Sequence, residues 1–207
     1  MQITKIEELD KKRVRIYIDG EFAFALYKGE LRLHKMEEGQ EMGTADYAQI
    51  LEEILPKRAK LRCLNLLKAR AYTERQLRDK LRQGEYPQDV IEEAVAYVKS
   101  YGYVDDRKYA EDFIACHMSD RSSKRMERDL MGKGVAKEII REVMGNMSVE
   151  GELPDEISIA RKWLKKKNYN PETATNKEKQ KISAFLYRKG FQMDTIRSVL
   201  LLDINAI

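Results

Sequence analysis

Polar and apolar residues alternate along Arg13-Val14-Arg15-Ile16-Tyr17-Ile18, and again along Phe22-Ala23-Phe24-Ala25-Leu26. A period of two predicts strands with one buried face. Asp19-Gly20 between them predicts a hairpin turn. Two registers are open. A two-residue turn sets Ile18 opposite Glu21 and Ile16 opposite Ala23. A three-residue turn sets Ile18 opposite Phe22 and Ile16 opposite Phe24, the better apolar match. Ile3 and Ile6 make residues 3–8 a candidate third strand, and Gly39-Gln40-Glu41-Met42 a candidate short fourth. A hairpin alone is marginal, so this region needs a surface to pack on.

From Thr44 the period becomes helical. Tyr47, Ile50, Leu51, Ile54 and Leu55 fall at i, i+3, i+4, i+7 and i+8, one apolar face. Pro56 predicts a break or bend, after which Leu61, Leu64 and Leu67 resume. Thr73 and Gln76 form a capping box at the next helix start, flanked by Tyr72 and Leu77 in staple positions.

Three segments then share one apolar frame. Leu77, Leu81, Ile91 and Ala94 have the same spacing as Met126, Leu130, Ile140 and Val143, and as Ile182, Leu186, Ile196 and Val199. An apolar residue follows each central Leu by five positions: Tyr86, Val135, Phe191. A glycine follows it at four positions in two copies (Gly134, Gly190) and at three in the first (Gly84). A helix that ends at glycine, a turn anchored by an apolar side chain and a second helix would give this pattern. Upstream helices are expected over 57–71, 106–118 and 155–167. The fold class is therefore mainly α: tandem three-helix, helix-turn-helix-like repeats forming an elongated body, preceded by a small β-hairpin region. The expected domains are an N-terminal β region (1–43), a first three-helix unit with a lead-in helix (44–104), a second (105–150) and a third (151–207).

Composition sharpens this. Of 207 residues, 36% are charged, well above the usual quarter, while 4 Pro and 11 Gly are too few for an all-β chain rich in turns. Two Cys rule out a disulfide scaffold, and two His leave little for a zinc site or catalytic triad. No apolar run is long enough to cross a membrane. The start MQITKIEELDKK lacks a signal peptide's apolar stretch, so the expected location is cytoplasmic. The net charge of +4 hides blocks. Residues 57–82 hold ten basic and two acidic residues, and 161–190 the same, whereas 85–112 hold eight acidic against three basic residues, and 142–156 five acidic and no basic residues. Basic blocks can engage phosphates or an acidic protein; the bland alternative is a solvated helix face.

The segment Ser100-Tyr101-Gly102-Tyr103-Val104-Asp105-Asp106-Arg107-Lys108-Tyr109-Ala110 reads as an inter-helix corner. Gly102 can end one helix, Asp105 can cap the next, Asp106 suits its first turn, and Val104 and Tyr109 hold staple positions. This gives both aspartates a structural role, with a metal site as the weaker alternative. Cys116-His117 is not a catalytic pair, because neighbouring helical residues point about 100° apart. Met131-Gly132-Lys133-Gly134 lacks phosphate-loop spacing. Trp163, in a basic helix, is expected in the core, with partner contact as the alternative.

Gly102-Tyr103-Val104-Asp105-Asp106 followed by Tyr109-Ala110 resembles the hallmark corner of the RecX family, regulators of the RecA recombinase. Leu66-Leu67-Lys68-Ala69-Arg70-Ala71-Tyr72-Thr73-Glu74-Arg75-Gln76-Leu77 with Lys80-Leu81 is similar to the family's first repeat. Arg125, Leu130 and Lys133-Gly134-Val135 resemble its second. The chain departs from the pattern at Gly84, one place early, and in a long insertion from Lys167 to Asn176. The resemblance implies a non-catalytic protein; no cofactor or metal is expected. It would bind the RecA filament on single-stranded DNA, contacting the DNA directly or through the filament, and modulate it, typically by inhibiting ATPase, strand-exchange and coprotease activity. A monomer with no membrane partner is expected. The alternative is a DNA-binding helical-repeat protein independent of RecA; a scaffold for another partner and an enzyme rank lower.

The candidate contact residues are basic. Arg75, Arg78 and Arg82 share one face of one helix, with Arg70 upstream. Arg121, Lys124, Arg125 and Arg128 are the second-unit equivalents, and Lys162, Lys165, Lys166 and Lys179 belong to the third. Tyr101, Gly102, Tyr103, Asp105, Asp106 and Tyr109 are the structural signature.

Overall fold

A computed structural model describes residues 1–151, 153, 155–171 and 173–200. Glu152, Glu172 and 201–207, which fall in the acidic 142–156 block, the second basic block and the end of the third expected domain, lie outside the described residues. The chain divides into two compact units, 1–105 and 106–207.

The first unit opens with an antiparallel sheet in the order β1 (Ile3–Glu8), β2 (Arg13–Ile18), β3 (Glu21–Tyr27). Asp19 and Gly20 both have positive φ, 51° and 89°, the signature of a two-residue turn whose twist matches the strands. Ile18 therefore faces Glu21. An irregularity between Ile16 and Tyr17 then shifts the register, so Tyr17 faces Phe22 and Ile16 faces Phe24. Each of the two registers open in the sequence is thus realised in part: the turn is the short one, and a bulge restores the apolar pair. The candidate fourth strand amounts to one bridge, Gln2 to Glu41.

After α1 (Lys28–Leu33) and α2 (Thr44–Gln49), a π-helical stretch, Ile50–Ile54, runs straight into α3 (Leu55–Ala69). Pro56 does not end the helix. It lacks the N–H that would bond back to Glu52, and its ring crowds that carbonyl; the wider π turn just before it absorbs both problems. The sheet residues Ile16, Phe24 and Leu26 share one core with Ile50, Leu55 and Ala59 and with Leu77, Leu81 and Ile91 of α4 (Glu74–Arg82) and α5 (Gln88–Ser100). The sheet thereby gains its packing surface. Two arginines tie it down further. Arg58 reaches Glu30 at 2.7 Å and the Ala25 carbonyl at 2.6 Å. Arg15 Nε lies 2.9 and 3.0 Å from the two oxygens of Glu85.

The second unit holds α6 (Asp106–His117), α7 (Ser123–Lys133) and α8 (Lys137–Val149), then α9 (Glu156–Lys166), α10 (Asn176–Arg188) and α11 (Met193–Leu200). All twelve residues of the repeat frame are buried. The helix ends share one geometry. The N–H of Tyr86, Val135 and Phe191 bonds the carbonyl of Leu81, Leu130 and Leu186 respectively, at 3.3, 3.1 and 3.2 Å, and the residue before it is left-handed. This is a Schellman closure. Gly84 is the exception to the expected pattern: it is not left-handed. Glu85, one place later, takes that role with φ 59°, which puts the turn at the same offset in all three copies. Gly84 is needed for closeness instead, since a Cβ there would sit 2.9 Å from the Tyr86 ring. Glu85 is a strained choice for a left-handed position, and the fork from Arg15 holds it there.

Helix starts follow side-chain chemistry. Thr73 and Gln76 exchange capping bonds at 3.2 and 3.3 Å, and Tyr72 and Leu77 are buried in one core. Ser122 caps α7, Asp155 caps α9 and Thr175 caps α10.

Candidate functional site

The first-unit arginines have close acidic neighbours. Arg75 lies 3.9 Å from Asp79, and Arg82 lies 3.0 Å from the same carboxylate. Their side chains remain 62% and 50% exposed. Arg78 is more confined, 3.2 Å from Glu74 and 3.0 Å from Glu92. Arg70 stacks on Tyr72 at 4.4 Å. The expected stripe therefore offers two outward guanidiniums rather than three. Burial opposes the charge on Glu74, but hydrogen bonds from Lys99 and Arg78 outweigh it and hold the carboxyl below its usual range. Such a group contributes stability that is present above the ordinary glutamate pKa and is lost as pH falls through the depressed one. Glu74→Gln should remove a modest contribution, up to about 1 kcal/mol after solvent screening. Urea melts at pH 7 and pH 3 should differ less for the variant than for the parent, and an equal difference would contradict this role.

At the corner, Gly102 is left-handed as expected, with φ 70°. Tyr101 and Tyr103 are 63% and 57% exposed, and their rings stack 6.1 Å apart, with Tyr97 4.9 Å beyond Tyr101. Asp106 opens α6. Val104 is buried in the first-unit core, and Tyr109 packs against the core formed by α6 to α8. His117 Nδ1 lies 2.8 Å from the Phe113 carbonyl and its ring stacks on Phe113, so it is committed to its own helix.

The second unit gathers cations from distant stretches of sequence. Arg121 and Arg125 share Asp129, at 2.8 and 3.0 Å. They line a cleft of about 400 Å³ together with Trp163, Phe185, Arg188 and Lys189. The cleft exists because the second and third helical triplets are pinned together here. Ser122 Oγ donates to the Lys189 carbonyl at 3.0 Å, Trp163 Nε1 donates to the Asp120 carbonyl at 3.0 Å, and Ser123 N–H donates to Glu156 at 2.9 Å. Gly190 is needed at this junction: a Cβ there would lie 2.7 Å from Ser122 Oγ. Lys189 Nζ sits 4.0 Å above the Trp163 ring, and Lys166 Nζ lies 4.9 Å from the same ring. Trp163 is half-buried, with one part against the third core and the rest in the cleft. Of the other candidates, Lys124, Arg128, Lys162 and Lys165 are exposed and Lys179 is half-buried.

The sequence comparison fits this arrangement from end to end. Four family descriptions match in order: the Regulatory protein RecX N-terminal domain over 1–43, and the first, second and third three-helix domains of RecX over 59–97, 105–144 and 155–200. A protein from Caldanaerobacter subterraneus subsp. tengcongensis named Regulatory protein RecX is 32% identical over 97% of this chain and 98% of its own length. The chain belongs to the RecX family. A RecX from Clostridium acetobutylicum is 33% identical over 96% of the chain and 94% of that protein. A solved RecX regulatory protein shares the fold with a TM-score of 0.62 at 22% identity, covering 98% of this chain and 99% of that one. RecX from Lactobacillus salivarius matches with a TM-score of 0.58 at 21% identity, over 72% of this chain and 96% of its own. The tandem three-helix reading and the RecX resemblance both hold. Among the described residues no helix is long and apolar enough to cross a membrane.

Residue-by-residue reading missed the cleft itself. Arg188 and Lys189 counted only towards a basic block, and Phe185 received no role. The available signal was the pairing of Lys189 with the left-handed Gly190, which fixes where the helix end points.

Proposed function

We propose that this chain binds the RecA filament on single-stranded DNA and modulates it, inhibiting its ATPase, strand-exchange and coprotease activities. It would act without catalysis or cofactor, as a cytoplasmic monomer. The observation that carries this reading is the match of all four RecX domains, in order, across nearly the whole chain. The charge pattern supports it: a filament presents protein and phosphate together, and basic blocks separated by acidic ones can meet both. Contact would run through cations of all three helical units: Arg70, Arg75 and Arg82 in the first, Arg121, Lys124, Arg125 and Arg128 in the second, and Lys162, Lys165, Lys166 and the half-buried Lys179 in the third.

The test is RecA's ATP hydrolysis on single-stranded DNA with this protein below equimolar amounts. Loss of rate is expected. A fall only at DNA-coating concentrations would favour an RecA-independent DNA binder, and no change would end the regulator reading. Arg75→Ala with Arg82→Ala should raise the concentration needed for half-suppression several-fold, with helix content unchanged because Ala is the better helix former. Arg78 is left in place, since its removal would strip a partner from Glu74 and Glu92.

A further inference from the structure

The cleft between the second and third triplets combines two kinds of chemistry. Its walls carry Arg121, Arg125, Arg188 and Lys189 against a single acid, Asp120. Arg121 and Arg125 share one carboxylate, Asp129. Arg188 and Lys189 have no acidic partner among the described residues. Net positive charge in a concavity concentrates the field and draws anions. Between these cations stand two rings, Trp163 and Phe185, edge-to-face with centroids 5.8 Å apart. Lys189 is held over Trp163 by its ring, so its ammonium is placed before any ligand arrives.

We propose that this cleft holds a segment of a single nucleic-acid strand, phosphates against Arg121, Arg125, Arg188 and Lys189 and a base against the Trp163–Phe185 wall. A carboxylate-rich peptide would match the cations but brings no flat ring to the Trp163–Phe185 wall; a nucleotide brings an anion and a flat ring together. The ligand is a strand rather than one free nucleotide because the cations continue past the cleft. Arg128 Nη2 lies 3.0 Å from the point a Cβ of Gly190 would occupy, and Lys166 lies against Trp163 on α9. The strand touches cations from both triplets, so its binding reinforces the Ser122–Lys189 junction. This inference rests on the proposed function for the choice of a single strand but not for RecA, and its test omits the recombinase.

Trp163 is the chain's one tryptophan, so its emission reports on the cleft alone. The full chain is titrated with a short oligothymidylate, following Trp163 emission, and affinity is read in parallel by anisotropy of a labelled strand at several salt concentrations. A saturable, salt-sensitive emission change is expected. Arg188→Gln with Lys189→Gln should weaken binding at least ten-fold at low salt. It should also flatten the slope of log K against log salt by about 1.4, two phosphates' worth for a single strand. Lys11→Gln with Lys12→Gln, the same charge change in the first unit, should alter neither. An unchanged thermal midpoint in both variants shows that they fold. A silent Trp163, equal losses in both variants, or no loss in the cleft variant would overturn the proposal. So would a polyglutamate peptide, or thymidine monophosphate alone, that binds there as tightly as the strand. The ATPase assay is read separately. Suppression of RecA by a chain that binds no strand would discard the cleft and keep the regulator, and strand binding without suppression would do the reverse.

Discussion

Phe24→Ala should destabilise the whole first unit by about 4 kcal/mol, the usual loss when a fully enclosed aromatic ring is deleted from a core. Phe24 is entirely buried. It pairs with Ile16 across the sheet, and its ring lies 5.9 Å from that of Tyr47. It belongs to the same apolar cluster as residues of α3, α4 and α5. The loss is therefore not confined to the hairpin. Hydrogen exchange should show amides of 55–69 and 90–98 losing protection together with those of 13–27. Loss restricted to the strands would mean that the sheet is a separate folding unit, contrary to the shared core.

Gly190→Ala should cost the second unit about 3 kcal/mol. Two penalties combine. The residue sits at φ 94°, where a side chain costs roughly 1–2 kcal/mol. The added methyl would also meet Ser122 Oγ at 2.7 Å, Arg128 Nη2 at 3.0 Å and the Arg125 backbone nitrogen at 3.1 Å. Arg128 can swing away. Ser122 is fully buried, caps α7 and donates to the Lys189 carbonyl, so it cannot move without breaking bonds. Gly102→Ala provides the comparison: φ is 70° but open space surrounds the site, so only the conformational penalty, about 1 kcal/mol, should appear. Thermal unfolding of both variants measures the difference. Adding Ser122→Ala to Gly190→Ala should cost less than the sum of the single changes, because the clash is removed once. Strict additivity would contradict the contact.

Much of the fold was legible because the signal recurs while its exceptions do not. One apolar spacing recurring three times fixed helix, turn and helix for residues that no single stretch would settle, and every residue of that frame is buried. The hairpin was legible for the same reason, through alternation and Asp19-Gly20. Two features were hidden by non-local physics. The left-handed position in the first copy carries Glu85, and what makes this tolerable is Arg15, 70 residues away. A reader looking for glycine finds Gly84 and places the turn one residue early. The candidate contact residues were chosen by helical face, which is local, whereas the cleft joins α7 to the far end of α10 through Ser122 and Lys189, 67 positions apart. Trp163 was expected in the core because a lone large ring in an amphipathic helix usually belongs there. Its half-buried position follows from Asp120, whose carbonyl accepts the indole N–H across the junction.

The π turn at Ile50–Ile54 has a consequence for chain length. Over that stretch the backbone takes up more residues per turn than α-helix does. Deleting one residue there would allow an uninterrupted α-helix from Thr44 to Ala69, locally the more regular structure. Each residue of α-helix turns the chain by about 100°. Forcing α-helix on Ile50–Ile54 at its present length would therefore swing Tyr47, which packs on the core, and the buried Ile50 towards water while Leu55 and Ala59 kept their places, whereas the deletion would leave both ends facing the core. The segment carries one residue more than a plain helix needs, and the wide turn absorbs it so that the two flanks keep one buried face.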